Sequence, residues 1–343
     1  MSVALLSVQR KALLRGLSFL SLSRLLAPAL FLFLSAIAAA DTYSKGQHVE
    51  PAYEGWRENA DGTFSFIFGY MNENWQEELD IPVGENNFFA PGDADRGQPT
   101  HFLPRRNRFT FEVVVPSDWG DRELVWTLSS PNGLTRKSYA TLNPDYVIDN
   151  VVIASETGSL GAGTSSPESR ANTRPQVTVI GDSNRVVRVG ETLRFQTRVL
   201  DDGIPKPANL LEDTRRALEI FGQGAAAAFL TEENVSKTRM MRAPIKVTVQ
   251  KTNGLFLSWN VYRGPAGNQD KVHFDPPQIS PWEDTRTDAN SPWGALWVPP
   301  AVPADGIYDV SVTFDQPGTY LLWGRADDGG LFTDAYLSVT VAP

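Results

Sequence analysis

The chain has 343 residues, a length that suggests two domains of ordinary size. Apolar residues make up 41% of it, enough for packed cores, and its 24 prolines and 27 glycines favour strands and turns over helices. Cysteine is absent, which excludes disulfides, thiolate metal sites and a cysteine nucleophile. The formal charge of −9 argues against a nucleic-acid partner, because phosphates would be repelled.

Residues 1–40 have the pattern of a signal peptide. Four basic residues lie before an apolar run at 25–37, and Ala38 and Ala40 are small residues suited to a cleavage site before Asp41. Removal of this segment would change the formal charge to −13. No later run is long enough to cross a bilayer. We therefore expect a periplasmic or extracellular protein; an uncleaved membrane anchor is the alternative.

Residues 41–154 predict a β-rich N-terminal domain. Aromatic residues occupy every second position of one segment, namely Phe64, Phe66, Phe68 and Tyr70. The same period recurs further on, in Phe109, Phe111, Val113 and Val115. A period of two with aromatic residues indicates half-buried strands. The stretch 84–104 between them is irregular and too long for an ordinary connection.

The composition changes at residues 155–175. Gly, Ser, Thr and Pro dominate there and bulky apolar residues nearly vanish. Such a composition is typical of a flexible linker. The sequence therefore predicts two lobes with some freedom between them.

Residues 176–343 predict a second strand-rich domain. Short alternating segments are separated by turn signals, which is typical of a β-sandwich. Two insertions interrupt it. The first, 204–250, contains a helix, because Asn209 can cap it and Glu212 stands in the capping-box position. The second, 276–306, is rich in proline and tryptophan. The predicted fold class is all-β, with two sandwich-like domains and a short helical insertion in the second.

Several segments of 176–342 resemble bacterial PKD-like and Ig-like modules. They are Val-Gly-Glu-Thr-Leu at 189–193 with Asp-Asp-Gly-Ile-Pro at 201–205, Leu-Ser-Trp at 257–259, and the strands and turns at 312–320, 326–329 and 337–341. The resemblance implies an extracytoplasmic, usually non-catalytic β-sandwich. Independently of it, Trp259 is placed to fill the space between two sheets, and Tyr320 follows a Pro-Gly turn as a tyrosine corner does.

Two acidic loops form the candidate metal site. Asp201 and Asp202 follow one predicted strand, and Asp327 and Asp328 follow another. In an Ig-like strand order these are the B–C and F–G connections, which lie at the same end of the sandwich. Hard oxygen ligands of this kind suit Ca²⁺. The alternative is that the Asp-Gly pairs only form turns.

Two further sets are candidate ligand contacts. Trp282, Trp293 and Trp297 could stack on sugar rings, or form a packed lid over a sheet. His101 and Arg105 belong to the main concentration of basic residues, which could hold an anionic ligand. The alternative for this set is internal pairing with the acidic residues Glu73, Glu77, Glu78 and Asp80.

The motifs of common enzyme classes are missing from the sequence. It has no G-x-S-x-G elbow, no H-E-x-x-H and no phosphate-binding loop. The leading expectation is an exported, non-catalytic binding or assembly protein whose ligand is a glycan or a cell-surface protein, with Ca²⁺ as a possible structural ion. Two alternatives stay open: a carboxylate-based hydrolase acting through the N-terminal domain around Glu73–His101, and a spacer without a ligand.

Overall fold

A computed structural model of the chain describes residues 43–157, 167–207, 209–235, 251–284, 290–294 and 297–343. The chain divides into two compact units, Met1–Gln47 and His48–Pro343. The predicted signal peptide lies outside the described residues. Within those residues, none of the helices has the length and apolar character needed to span a membrane. All strands and helices named below lie in the second unit.

The first half of this unit contains eight strands. They are β1 (Val49–Glu58), β2 (Phe64–Asn72), β3 (Leu79–Asp80), β4 (Asn87–Ala90), β5 (His101–Phe102), β6 (Arg105–Val115), β7 (Leu124–Ser129) and β8 (Thr135–Ala140). They form the sheets β1-β2-β6, β4-β7-β8 and β3-β5, with every pair antiparallel. A 3-10 turn at Pro144–Tyr146 and the helix α1 (Asn150–Thr157) end this half.

Strand β2 is buried on both faces. Phe66 and Phe68 point into the main core of the first half, where Phe68 packs against Phe89, Phe111 and Trp126. Ile67 points the other way, into a second cluster with Ile153 of α1. The predicted alternation is therefore correct, and the opposite face is covered as well.

Phe109 departs from the predicted face of β6. Phe111 and Val113 lie in the main core as the alternation requires, whereas Phe109 belongs to the cluster around Ile67. The pairing of β2 with β6 shifts between Phe68 and Tyr70, and Phe109 has a φ of 50°. A β-bulge of this kind reverses the direction of a side chain, so the prediction for Phe109 is wrong.

The described residues of the second half form a sandwich of two four-stranded sheets. Its strands are β9 (Gln176–Val179), β10 (Asn184–Arg188), β11 (Leu193–Leu200), β12 (Phe256–Arg263), β13 (Val272–Asp275), β14 (Ile307–Phe314), β15 (Gly318–Asp327) and β16 (Phe332–Ala342). The sheets have the orders β10-β16-β15-β12 and β13-β14-β11-β9. Only β10 and β16, among the described pairs, run parallel. This is the immunoglobulin-type order, with β11 and β12 as strands B and C and β15 and β16 as F and G.

Two aromatic residues confirm the predicted sandwich. Trp259 on β12 is fully buried between the sheets and meets Phe195 edge to face at 5.0 Å. Tyr320, near the start of β15, is also buried and donates its hydroxyl to the carbonyl of Gln316 at 3.0 Å. This is the hydrogen bond of a tyrosine corner.

Besides helical residues at 232–235, three short helices decorate the described part of the second half. They are α2 (Pro167–Ala171), α3 (Leu210–Ile220) and α4 (Gly224–Ala227). The predicted cap of α3 is present, because the side chain of Asn209 accepts from the backbone N–H of Glu212 at 3.0 Å. Part of the first insertion, 236–250, lies outside the described residues.

The two halves share side-chain contacts. Tyr262 and Trp323 from the second half lie in the main core of the first. Tyr262 donates to the carbonyl of Gly97 at 2.6 Å, and Arg325 to the carbonyl of Phe109 at 2.8 Å. The predicted linker at 155–175 overlaps the end of α1 and all of α2, and its central part, 158–166, lies outside the described residues. The boundary drawn there remains a prediction.

Candidate ligand-binding site

A cavity of about 870 Å³ lies between the proline-rich insertion and the strands β12 and β14. The insertion follows β13 and returns to the sheet at β14. Apolar side chains form much of the wall, and several belong to the insertion itself: Pro276, Pro277, Ile279, Val298, Pro300 and Pro303. Prolines keep such a wall stiff, because the ring fixes φ. The cavity is therefore a largely pre-formed concave site.

Hydrogen bonds attach the start of the insertion to the exposed edge of β12. The side chain of Gln278 accepts from the backbone N–H of Trp259 at 2.9 Å and donates to the carbonyl of Pro276 at 2.6 Å. The hydroxyl of Ser258 donates to the carbonyl of Ile279. An edge strand has unpaired backbone groups, and here the side chain of Gln278 occupies one of them, the N–H of Trp259. These bonds fix one wall of the cavity relative to the sandwich.

Polar groups also line the cavity: Gln278, Asn290, Asp305, Tyr308 and Asp309. Burial, and after it the negative charge of Asp201, raises the pKa of Tyr308 to about 12, so the hydroxyl is neutral at physiological pH. None of the described lining residues is Lys, Arg or His. The cavity therefore suits a neutral ligand with several hydroxyl or amide groups.

The three predicted tryptophans do not form an exposed platform. Trp293 and Trp297 are only 4% and 6% exposed. Trp297 packs edge to face on Phe256 at 5.1 Å, and the amine of Lys251 lies 5.7 Å from the ring of Trp293. Trp282 is half-buried against the core of the first half. This arrangement favours the packed lid, although Trp297 also lines the cavity.

His101 and Arg105 are held by acidic groups of the same half. His101 is buried, with Nδ1 2.8 Å from Asp80 and Nε2 3.0 Å from Glu78. Burial alone would lower the pKa of His101, but the hydrogen bonds to Asp80 and Glu78 outweigh it and raise that pKa to about 9. Arg105 donates to the carbonyl of Glu73 at 2.8 Å and lies 4.0 Å from the ring of Trp75. These contacts favour internal pairing over an anion site.

The two acidic loops lie at the same end of the sandwich. Asp202 accepts from the backbone N–H and hydroxyl of Thr173, at 3.0 and 2.6 Å. The next residue back, Asn172, lies beside Asp328 and Gly330 of the other loop. Residues 172–173 thus contact both loops, in agreement with the B–C and F–G assignment.

The carboxylates of these loops have separate partners. Asp327 pairs with the buried amine of Lys251, and Asp201 accepts from the backbone N–H of Gly203 at 2.8 Å. Asp328 accepts from the N–H groups of Gly330 and Leu331, at 2.6 and 2.7 Å. Burial, and after it the charge of Asp327, raises the pKa of Asp328 to about 7.

These contacts are those of turn-forming residues. Among the described residues, no three His, Cys, Asp or Glu side chains are grouped so that they could hold a metal ion. Calcium binding at Asp201, Asp202, Asp327 and Asp328 remains a prediction from the sequence.

Sequence reasoning missed the polar residues of the cavity, such as Asn290 and Tyr308. Within 276–306 the sequence has no period, so neither strand nor helix geometry predicts where a side chain points. The available signal was the insertion itself, because a long proline-rich interruption of a sandwich is a common place for a binding loop.

Comparisons with known proteins add little to this geometry. No family model matches the chain, and no curated protein matches it significantly. Among solved structures, domains 4 and 5 of the S-layer protein SbsC are 8% identical, with 86% of this chain and 98% of that one covered and a TM-score of 0.21.

The D00-D0 domain of intimin is 9% identical, with 86% of this chain and 100% of that one covered and a TM-score of 0.22. The adhesin InvE of Yersinia pseudotuberculosis is 10% identical, with 85% and 58% covered and a TM-score of 0.22. At these scores the fold assignment rests on the strand order of the chain itself.

Proposed function

We propose that this chain is an exported, non-catalytic binding protein and that its ligand is a glycan held in the cavity beside the insertion. The cavity carries the proposal. Its wall combines Trp297 and several prolines with the side chains of Asn290, Asp305 and Tyr308. Sugars present apolar ring faces and hydroxyl groups, so they match an apolar wall that carries a few hydrogen-bonding groups.

A binding role is favoured over the carboxylate-based hydrolase. That alternative needs an acid and a base that are open to a substrate around Glu73–His101. There, Asp80 and Glu78 are both bonded to the buried His101, and Asp80 also accepts from the backbone and side chain of Asn268 at 2.9 and 2.8 Å. A carboxylate with several partners of this kind is suited to holding the fold.

Export is supported by the sequence of residues 1–40, with its basic start, apolar run and small residues before Asp41. The chain has no cysteine to link the two sheets, and Trp259 and Tyr320 belong to the buried core that packs between them. A cell-surface protein is the alternative ligand, and binding of such a protein in place of a glycan would replace this proposal.

The experiment is a glycan array with the mature protein, followed by titration calorimetry with the best oligosaccharide. Asn290→Ala and Tyr308→Phe each remove one polar group from the cavity and should weaken binding about tenfold, because one hydrogen bond contributes about 1 kcal/mol. Tyr139→Phe changes an exposed tyrosine of the first half and should bind as the wild type does. Absence of binding to every glycan, or unchanged binding by both cavity variants, would refute the proposal.

A further inference from the structure

A second cavity adjoins the first. It has a volume of about 640 Å³ and lies over the outer face of the sheet β13-β14-β11-β9. Pro276 and Asp309 line both cavities. The two spaces therefore meet at the point where the insertion leaves the sheet.

The outer face of this sheet is polar because β11 alternates strictly. Phe195 and Val199 point into the core, and Arg194, Gln196 and Arg198 point outward. In the antiparallel register, Arg194 stands opposite Ser311, and Gln196 stands opposite Asp309. The second cavity is thus floored by side chains that can form hydrogen bonds.

The charge differs between the two cavities. Arg185 and Arg194 line the second, whereas the described lining of the first has no cationic side chain. Arg185 donates to the carbonyl of Ile180 at 3.1 Å, and Arg194 forms no ion pair with any described residue. A guanidinium group without a carboxylate partner is available to bind an anion.

Neither carboxylate of the second cavity, Asp275 or Asp309, forms an ion pair with Arg185 or Arg194. Asp309 accepts from the side chain of Gln196 at 2.8 Å. Asp275 stands opposite Ser311, so its backbone lies two strands away from that of Arg194, roughly 10 Å between Cα atoms. An anionic group between Arg194 and Arg185 would not have to displace a protein carboxylate.

We infer that the two cavities form one extended site and that its ligand is an oligosaccharide carrying an anionic group. Its uncharged sugars would occupy the first cavity. Its anionic group would lie in the second cavity, beyond Asp309, and would bind Arg194 and Arg185. This inference rests on the proposed function, since it assigns the ligand class of the same site.

The experiment compares uncharged oligosaccharides with uronate-bearing oligosaccharides of the same length, from two to eight sugars, by array and calorimetry. We expect uronate-bearing chains that are long enough to span both cavities to bind about tenfold more tightly than uncharged ones. The variant Arg194→Ala should remove most of that difference, whereas uncharged chains too short to reach the second cavity should bind as they do to the wild type. Arg198→Ala is the matched control, because Arg198 lies on the same strand and outer face but does not line either cavity.

Any one of three outcomes would overturn the inference. If uncharged and uronate-bearing chains bind equally and Arg194→Ala has no effect, the extended site is wrong while the proposed glycan function stands. If Arg198→Ala weakens uronate binding as much as Arg194→Ala does, the attraction is a general effect of surface charge. If no oligosaccharide binds, or only an acidic peptide does, both the inference and the proposed function fail.

Discussion

His101 is the residue on which a buried ionic cluster of the first half depends. Its pKa is raised from 6.5 to about 9, so its stabilising contribution is complete below pH 6.5 and is lost as the pH rises from 6.5 to about 9. His101→Gln would leave Asp80 and Glu78 without their cation. We expect a loss of about 3–5 kcal/mol in the free energy of unfolding at pH 6, measured by urea denaturation.

The control for His101 is His273→Gln. His273 is half-exposed and lies 3.0 Å from Asp315, so its removal should cost less than about 1 kcal/mol. A His101→Gln variant that keeps the stability of the wild type, or that still loses stability between pH 6.5 and 9 as the wild type does, would contradict this role.

Asp328 also makes stability fall as the pH rises, but here the charged form of the side chain destabilises the folded state. Its pKa is raised from 3.8 to about 7, so the folded state binds more protons than the unfolded state between these values. The contribution of Asp328 to the free energy of unfolding therefore falls as the pH rises from about 4 to 7. Asp328→Asn keeps the oxygen that accepts from Gly330 and Leu331, and it removes the buried charge.

We expect Asp328→Asn to be more stable than the wild type at pH 8 by about 1–3 kcal/mol and to be equal to it near pH 4. Chemical denaturation at both pH values measures this. A variant that is less stable at pH 8 would show that the charged carboxylate is needed.

At the scale of elements, the pairing of β12 with β15 depends on a close contact. Gly324 on β15 stands opposite Trp259, and a Cβ atom there would lie 2.5 Å from the indole ring. Gly324→Ala should therefore cost about 1–3 kcal/mol through overpacking, and thermal unfolding should show a lower Tm. Gly224→Ala is the control, because its Cβ would meet nothing closer than 3.8 Å. Equal Tm values for the two variants would contradict this packing.

The elements also show what the sequence could predict. Strands such as β2 and β11 follow from a period of two, and Trp259 and Tyr320 follow from their places on such strands. Phe109 was assigned to the wrong face, because a bulge depends on long-range pairing that leaves no periodic signal. For Trp293 and Trp297 the sequence left a sugar-stacking platform and a packed lid open, because the insertion has no period that tells which way a side chain points; their burial agrees with the lid.

At the scale of the whole molecule, the two halves of residues 48–343 share a core. Trp323 on β15 is 2% exposed and lies in the main cluster of the first half, together with Tyr262. We expect one cooperative unfolding transition for the mature protein, seen at the same midpoint by tryptophan fluorescence and by circular dichroism. Two transitions with separate midpoints would indicate that the halves unfold independently.

The central claim at this scale is that the cavity between the insertion and the sandwich edge binds a glycan. A crystal structure of the mature protein with its best-binding oligosaccharide tests that claim most directly. We predict sugar density between Trp297, Tyr308 and the prolines of the insertion. Sugar bound elsewhere on the molecule, with this cavity occupied only by solvent at saturating ligand, would contradict it.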